Sequence, residues 1–154
     1  MDAKNWRIYP GWKTLIHDGI FAEGWNGGGA IGQWLYQSVL GICPDPTGPG
    51  FKQFILAPQS DPASGLTWAC GGYDSVHRRI ISDWTSENGE FTLHAVISAN
   101  TTATVFVPAK DTAGVTESGK PAAKAVGVIF LRMENNAASY AVGSGTYRFQ
   151  SKLP

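Results

Sequence analysis

The sequence predicts a mainly β protein, an antiparallel β-sandwich of about eight strands preceded by one or two α-helices. Three observations carry that reading. Short apolar or alternating runs, parted by Gly, Pro and Asn turn signals, recur from residue 51 onward at the spacing usual for sandwiches. Helical spacing is confined to the stretch before residue 44. No crossover helices separate the later strands, so a parallel α/β architecture is excluded.

The elements follow in order. A short helical stretch is expected from Trp12 to about Ile20, before Gly24. Gly27-Gly28-Gly29 forms a flexible loop. Ile31, Trp34, Leu35, Val39 and Ile42 then recur at intervals of three or four, one apolar stripe on a helix of about three turns. Core packing is the expected role of Trp34. Gly41 and then Pro44 stop this helix in the order usual at a C-terminus. The domain organisation is a helical segment over 1–43, a Pro/Gly connector over 44–50 (PDPTGPG) and a β-sandwich over 51–154.

Within the sandwich, Phe54-Ile55-Leu56 is a compact strand closed by Pro58, followed by strands from Leu66 to Tyr73 and from Arg79 to Thr85. Glu87-Asn88-Gly89 turns into Phe91, Leu93, Ala95 and Ile97, which alternate with Thr92, His94 and Val96. Ala103 to Val107 is β-forming and low in charge, so it belongs inside a sheet. The stretch from Lys110 to Lys124 is polar and irregular, with a small strand near Val115. Gly127 to Met133, Ala138 to Val142 after the Asn135-Asn136 turn, and Thr146 to Gln150 complete the series. Trp68 and Trp84, as large strand aromatics, are expected to fill the space between sheets.

Composition narrows the function classes. The 154 residues are 43% apolar and only 16% charged, enough to build a core. Twelve basic and twelve acidic residues cancel without forming blocks, so nucleic acid is not an expected partner. No apolar run approaches the ~20 residues that span a bilayer, and no membrane is expected. MDAKNWRIYPGWK lacks the apolar core of a signal peptide, and location is left open. Cys43 and Cys70 make no disulfide framework; they read as two reduced, partly buried thiols, and a bridge requires the fold to bring their loops together. His17, His77 and His94 stand apart from any zinc-site spacing, so neither metal nor cofactor is expected. The glycine triplet lacks the Lys-Ser/Thr of a phosphate loop. His77-Arg78-Arg79 reads as a solvated basic turn rather than an anion site.

Several long stretches carry a family resemblance. WLYQSVLGICPDPTGPGFKQFILAPQ, then GLTWACGGYDS and SDW, and later NTTATVFVPA, VTESGKP and GSGTYRF, resemble the C-terminal portion of bacterial α-L-rhamnosidases of glycoside hydrolase family 78. The likeness runs from about Tyr9 to Phe149. It implies that the helix is the last of an (α/α)6 catalytic barrel and that the strands form a C-terminal β-sandwich. EGWNGGG, residues 23 to 29, resembles the barrel loop that carries the catalytic base of an inverting mechanism. Glu23 takes the base position, Trp25 the aromatic beside it and Asn26-Gly27 the turn. Trp25, Asn26 and Trp12 are the candidate sugar contacts. In the family the general acid lies far upstream of the matching segment.

Inverting glycoside hydrolysis needs two carboxylates about 6.5–9.5 Å apart. Glu23 supplies one, and neither Asp18 nor Asp45 sits in a motif that marks it as the other. The expected function is therefore an accessory sandwich that is inactive alone. One alternative is a stand-alone carbohydrate-binding module, favoured by three or more coplanar exposed aromatics and disfavoured by a uniformly polar surface. Another is a rhamnosidase active only with a partner chain. The expected partners are a rhamnose-containing glycan, a barrel domain, or a second copy meeting through the 31–42 helix. A fold-back of that helix on the sandwich competes with the last.

Overall fold

A computed structural model describes residues 31–60 and 65–153 of the chain. Residues 31–34 are α-helical, and Leu35–Val39 continue as a single π-helical turn. The helix ends earlier than the apolar stripe predicts. Gly41 takes φ +71°, and a Cβ there would lie 2.1 Å from the backbone nitrogen of Pro58, so only glycine fits. Beyond it Ile42–Pro44 is already a strand, β1. Ile42 falls on the helical stripe by spacing, yet its buried position belongs to the sheet.

Ten more strands follow among the described residues: β2 (Gln53–Leu56), β3 (Trp68–Ser75), β4 (Arg78–Glu87), β5 (Glu90–Ile97), β6 (Thr102–Pro108), β7 (Thr116–Glu117), β8 (Lys120–Pro121), β9 (Val128–Glu134), β10 (Ala137–Val142) and β11 (Gly145–Lys152). The eight long ones are those expected. Of the three short ones, β7 is the small strand expected near Val115, while β1 and β8 are additions of three and two residues, too short to show a period. The hairpin turns use the left-handed backbone anticipated at Asn88-Gly89 and at Asn135-Asn136, all four at positive φ.

The strands form two sheets. One has five strands in the order β1-β2-β6-β10-β9; the other has six in the order β3-β4-β5-β11-β7-β8. All pairs are antiparallel except β2 with β6, which run parallel from Gln53↔Thr102 to Leu56↔Val105. The chain between those two builds β3, β4 and β5 in the opposite sheet. The parallel pair therefore needs no crossover helix.

The core lies between the sheets. β5 contributes Phe91, Leu93, Ala95 and Ile97, all buried, as the alternation predicts. Phe54, Leu56, Val105, Val107, Tyr140 and Val142 face them from the five-stranded sheet. Trp84 is fully buried and stacks on Phe91 at 6.1 Å, while Tyr140 stacks on Phe149 at 5.6 Å. Trp68 departs from expectation: β3 turns Ala69 and Gly71 inward, which leaves Trp68 half-buried on the outer face. Trp34 also departs, being 40% exposed although it shares the stripe.

Candidate functional site: a helix socket and two unlike sheet faces

The candidate catalytic residue Glu23 and the candidate sugar contacts Trp12, Trp25 and Asn26 lie outside the described residues. Asp45 is described. Its carboxylate accepts hydrogen bonds from the Thr47 hydroxyl at 2.7 Å and the Thr47 amide at 2.8 Å, which hold its pKa below the usual carboxylate value. A general acid needs the opposite shift.

The most elaborate polar site is the place where the helical segment enters the sandwich. A helix leaves its last carbonyls without intrahelical partners. Here five successive carbonyls are taken up. The thiol of Cys43 donates to Gln37 O at 3.3 Å, the Gln59 amide to Ser38 O at 3.0 Å, the Trp84 indole to Val39 O at 2.8 Å, the Ser82 hydroxyl to Leu40 O at 2.7 Å and the Ala57 amide to Gly41 O at 2.8 Å. Ala57 and Gln59 follow β2 in one sheet, and Ser82 and Trp84 stand on β4 in the other. Both sheets therefore grip the same helix end.

Sequence explains the socket locally. Gly71 and Ser82 are cross-strand partners on the inner face of the six-stranded sheet. Their small side chains leave a notch that Leu40 fills, and a Cβ on Gly71 would sit 2.5 Å from Leu40 Cδ1. Leu35 and Tyr36 pack against the core beside it, and Tyr36 meets Tyr73 edge-on at 5.6 Å. The stripe residues Leu35 and Val39 thus fold back on the sandwich.

The two outer faces differ in chemistry. Register across the five-stranded sheet lines up Cys43, Ile55, Thr104, Ala141 and Ile129 in one row. Phe106, Ser139 and Arg132 form the next. A shallow depression of about 520 Å³ follows these rows, lined by Ile55, Ala57, Phe106, Pro108 and Ala137, with the Arg132–Glu134 ion pair (2.7 Å) at its rim. At the open edge, β9 exposes Ile129 (66%), Leu131 (44%), Phe130 and Met133. A bulge against β10 interrupts the β9 ladder near Leu131.

Across the six-stranded sheet, register instead aligns Cys70, Asp83, His94 and Arg148. A neighbouring row holds Trp68, Thr85, Thr92, Gln150 and Thr116. Asp83, Thr85, Thr92, His94 and Arg148 line a depression of about 360 Å³. In those two rows Trp68 is the one aromatic residue, so three coplanar aromatics are not assembled there. The basic turn is solvated: Arg78 and Arg79 are exposed, and Arg79 pairs with Asp74 at 3.2 Å.

Cys43 and Cys70 are partly buried cysteines in different sheets, and burial pushes the Cys43 pKa up. Among the described residues no three His, Cys, Asp or Glu side chains are grouped to hold a metal ion. No helix among them is long and apolar enough to cross a membrane. The socket itself was not legible in advance, because backbone carbonyls carry no sequence signal. The Gly71 and Ser82 positions were the available hint, two small residues amid core-forming strands.

Comparison with known proteins places this architecture. Residues 41–122 match the family model for the bacterial α-L-rhamnosidase C-terminal domain. An α-L-rhamnosidase of Streptomyces avermitilis is 31% identical over 155 residues, covering 97% of this chain and 14% of that protein. One from Formosa agariphila is 26% identical over 165 residues, covering 94% of this chain and 17% of that protein. Among solved structures, the Streptomyces avermitilis α-L-rhamnosidase complexed with L-rhamnose superposes with a TM-score of 0.70 at 29% identity, over 82% of this chain and 11% of that one. The α-L-rhamnosidase from Dictyoglumus thermophilum shares the fold, with a TM-score of 0.65 at 21% identity over 80% of this chain and 13% of that one. The chain thus spans about one seventh of the length of the Streptomyces relative it matches.

Proposed function

The chain belongs to the bacterial α-L-rhamnosidase C-terminal domain family, and from that premise we propose that it is the accessory β-sandwich of an α-L-rhamnosidase-type glycoside hydrolase, inactive alone. Its work is mechanical: it receives the last helix of a catalytic helical barrel and fixes the helix end. The carrying observation is the capture of five successive carbonyls, from Gln37 to Gly41, by donors from both sheets. Leaving one such buried carbonyl unpaired costs about 1–3 kcal/mol. A socket of this kind holds the helix in one orientation.

Catalysis then belongs to the barrel. Glu23 is the family-base position, and the general acid comes from elsewhere in the catalytic unit. The partner proposed is that barrel domain, and the glycan proposed is its rhamnose-containing substrate. Self-association through the 31–42 helix is the weaker reading, since Leu35, Val39 and Ile42 already meet the sandwich core. A chain active only with a partner polypeptide would instead show rhamnosidase activity that Glu23→Gln removes.

The socket is tested by hydrogen exchange on the chain carrying Trp84→Phe with Ser82→Ala. These changes keep most of the apolar bulk and delete two donors. Exchange over residues 35–42 is expected to quicken about tenfold or more, while β5 and β11 keep their protection. Unchanged protection over 35–42 would remove the anchoring argument.

A further inference from the structure

We propose that the outer face of the six-stranded sheet carries a saccharide subsite, centred on Asp83, His94 and Arg148, for a neutral sugar ring presenting adjacent hydroxyls. This goes beyond the accessory role and does not depend on it. The three residues stand directly opposite one another on β4, β5 and β11. Strands lie about 4.8 Å apart, so the row spans roughly 10 Å, the scale of one sugar ring with its hydroxyls. Thr85 and Thr92 close the same depression from the next row, and Trp68 stands opposite Thr85 at its side.

The chemistry of the set selects the ligand. An ionised carboxylate only accepts hydrogen bonds, a guanidinium only donates, neutral imidazole does one of each and threonine hydroxyls do both. A sugar hydroxyl both donates and accepts, so adjacent hydroxyls satisfy this set in full. A sulfate is a pure acceptor and would meet the Asp83 carboxylate, and a phosphate brings negative charge to the same carboxylate. A metal cation would find one carboxylate and the Arg148 charge. A neutral polyol meets neither penalty.

Opposite charges facing each other across strands usually pair. Here His94 separates Asp83 from Arg148, and among the described residues neither charge is taken up in an ion pair, whereas Arg79–Asp74 and Arg132–Glu134 are. The donors and acceptors are therefore available to a ligand. The depression is open, with one aromatic at its side, so affinity on the order of millimolar is expected.

The test is an amide-shift titration of the whole chain by NMR with L-rhamnose, D-galactose and D-glucose in turn. At least one sugar is expected to give saturable shifts clustered at Asp83, Thr92 to His94 and Arg148. Both Arg148→Ala and Asp83→Asn should weaken that binding at least fivefold, with the remaining spectrum unchanged. The proposal is overturned if none of the three sugars gives saturable shifts on this face, or if both variants bind as the parent does. Competition by sodium sulfate as strong as by sugar would also overturn it, since that marks an anion site. Trp84→Phe with Ser82→Ala should leave the titration unaltered, so failure of this site and failure of the helix socket are read separately.

Discussion

The two sheets bury similar inner faces but present unlike outer ones. The six-stranded sheet turns Asp83, Thr85, Thr92, His94, Arg148 and Gln150 outward, the polar-out alternation expected of a sheet that meets water. The five-stranded sheet turns out Cys43, Ile55, Phe106, Ala137, Ala141 and Ile129, interspersed with Thr104, Ser139 and Arg132. That sheet also begins with β1, directly after the captured helix end, and continues into the Ala57 and Gln59 amides that hold it. One outer face is a polar row, and the other carries the larger share of apolar side chains. Of these, Ile129 is the most exposed, at 66%, and covering it would contribute at most about 1.5–3 kcal/mol.

The largest expected effect lies at the junction. Gly41→Ala places a Cβ 2.1 Å from Pro58 N at φ +71°, so the helix end cannot stay seated. A stability loss of more than about 3 kcal/mol is expected in urea titration. A loss near zero would mean that the helix end contributes nothing to the fold.

The next effect is set by pH. Burial raises the pKa values of Tyr140, Tyr36, Tyr147 and Cys43 above their ordinary 10.0 and 9.0. Each group is neutral when protonated, and the folded chain holds the proton more tightly than the unfolded one. Their contribution is therefore fully present below the unfolded pKa and is lost as pH rises through the raised folded value. Urea midpoints should be level through neutrality and fall from about pH 9 upward. Tyr140 gives a sharper form of the test, because its buried hydroxyl has no partner among the described residues. Tyr140→Phe is expected to stabilise by about 1 kcal/mol at neutral pH and to shrink the alkaline loss.

The smallest stability effects separate the two faces directly. His94→Ala on the polar face and Ile129→Lys on the apolar edge should each change stability by no more than about 0.5 kcal/mol. They differ in another readout. Ile129→Lys should lower the fluorescence of a bound apolar dye, and His94→Ala should not. Equal responses would erase the distinction between the faces.

What was legible in the sequence follows from the range of each signal. Short apolar or alternating runs between turn signals locate the eight long strands, and alternation locates the inward residues of β5. Turn chemistry placed Asn88-Gly89 and Asn135-Asn136. The helix limit is not legible, because Ile42 fits the helical period and a three-residue strand equally well. Trp68 reads as inward by its size alone, because the Cys70-Gly71-Gly72 stretch hides the alternation of β3. The character of the five-stranded outer face was not legible at all. It depends on Ile55 meeting Thr104 and on Ala141 meeting Ile129, pairings set by tertiary register. The catalytic reading of Glu23 rests on family resemblance, and that residue lies outside the described ones.

The central claim, that the sandwich anchors a catalytic unit without being one, meets its most direct test in a chromogenic assay. The purified chain and its Glu23→Gln variant are incubated with a chromogenic α-L-rhamnoside, and release is followed for a day. No release above the blank from either is the expected result. Release by the parent chain that Glu23→Gln abolishes would show a working carboxylate pair and contradict the accessory reading.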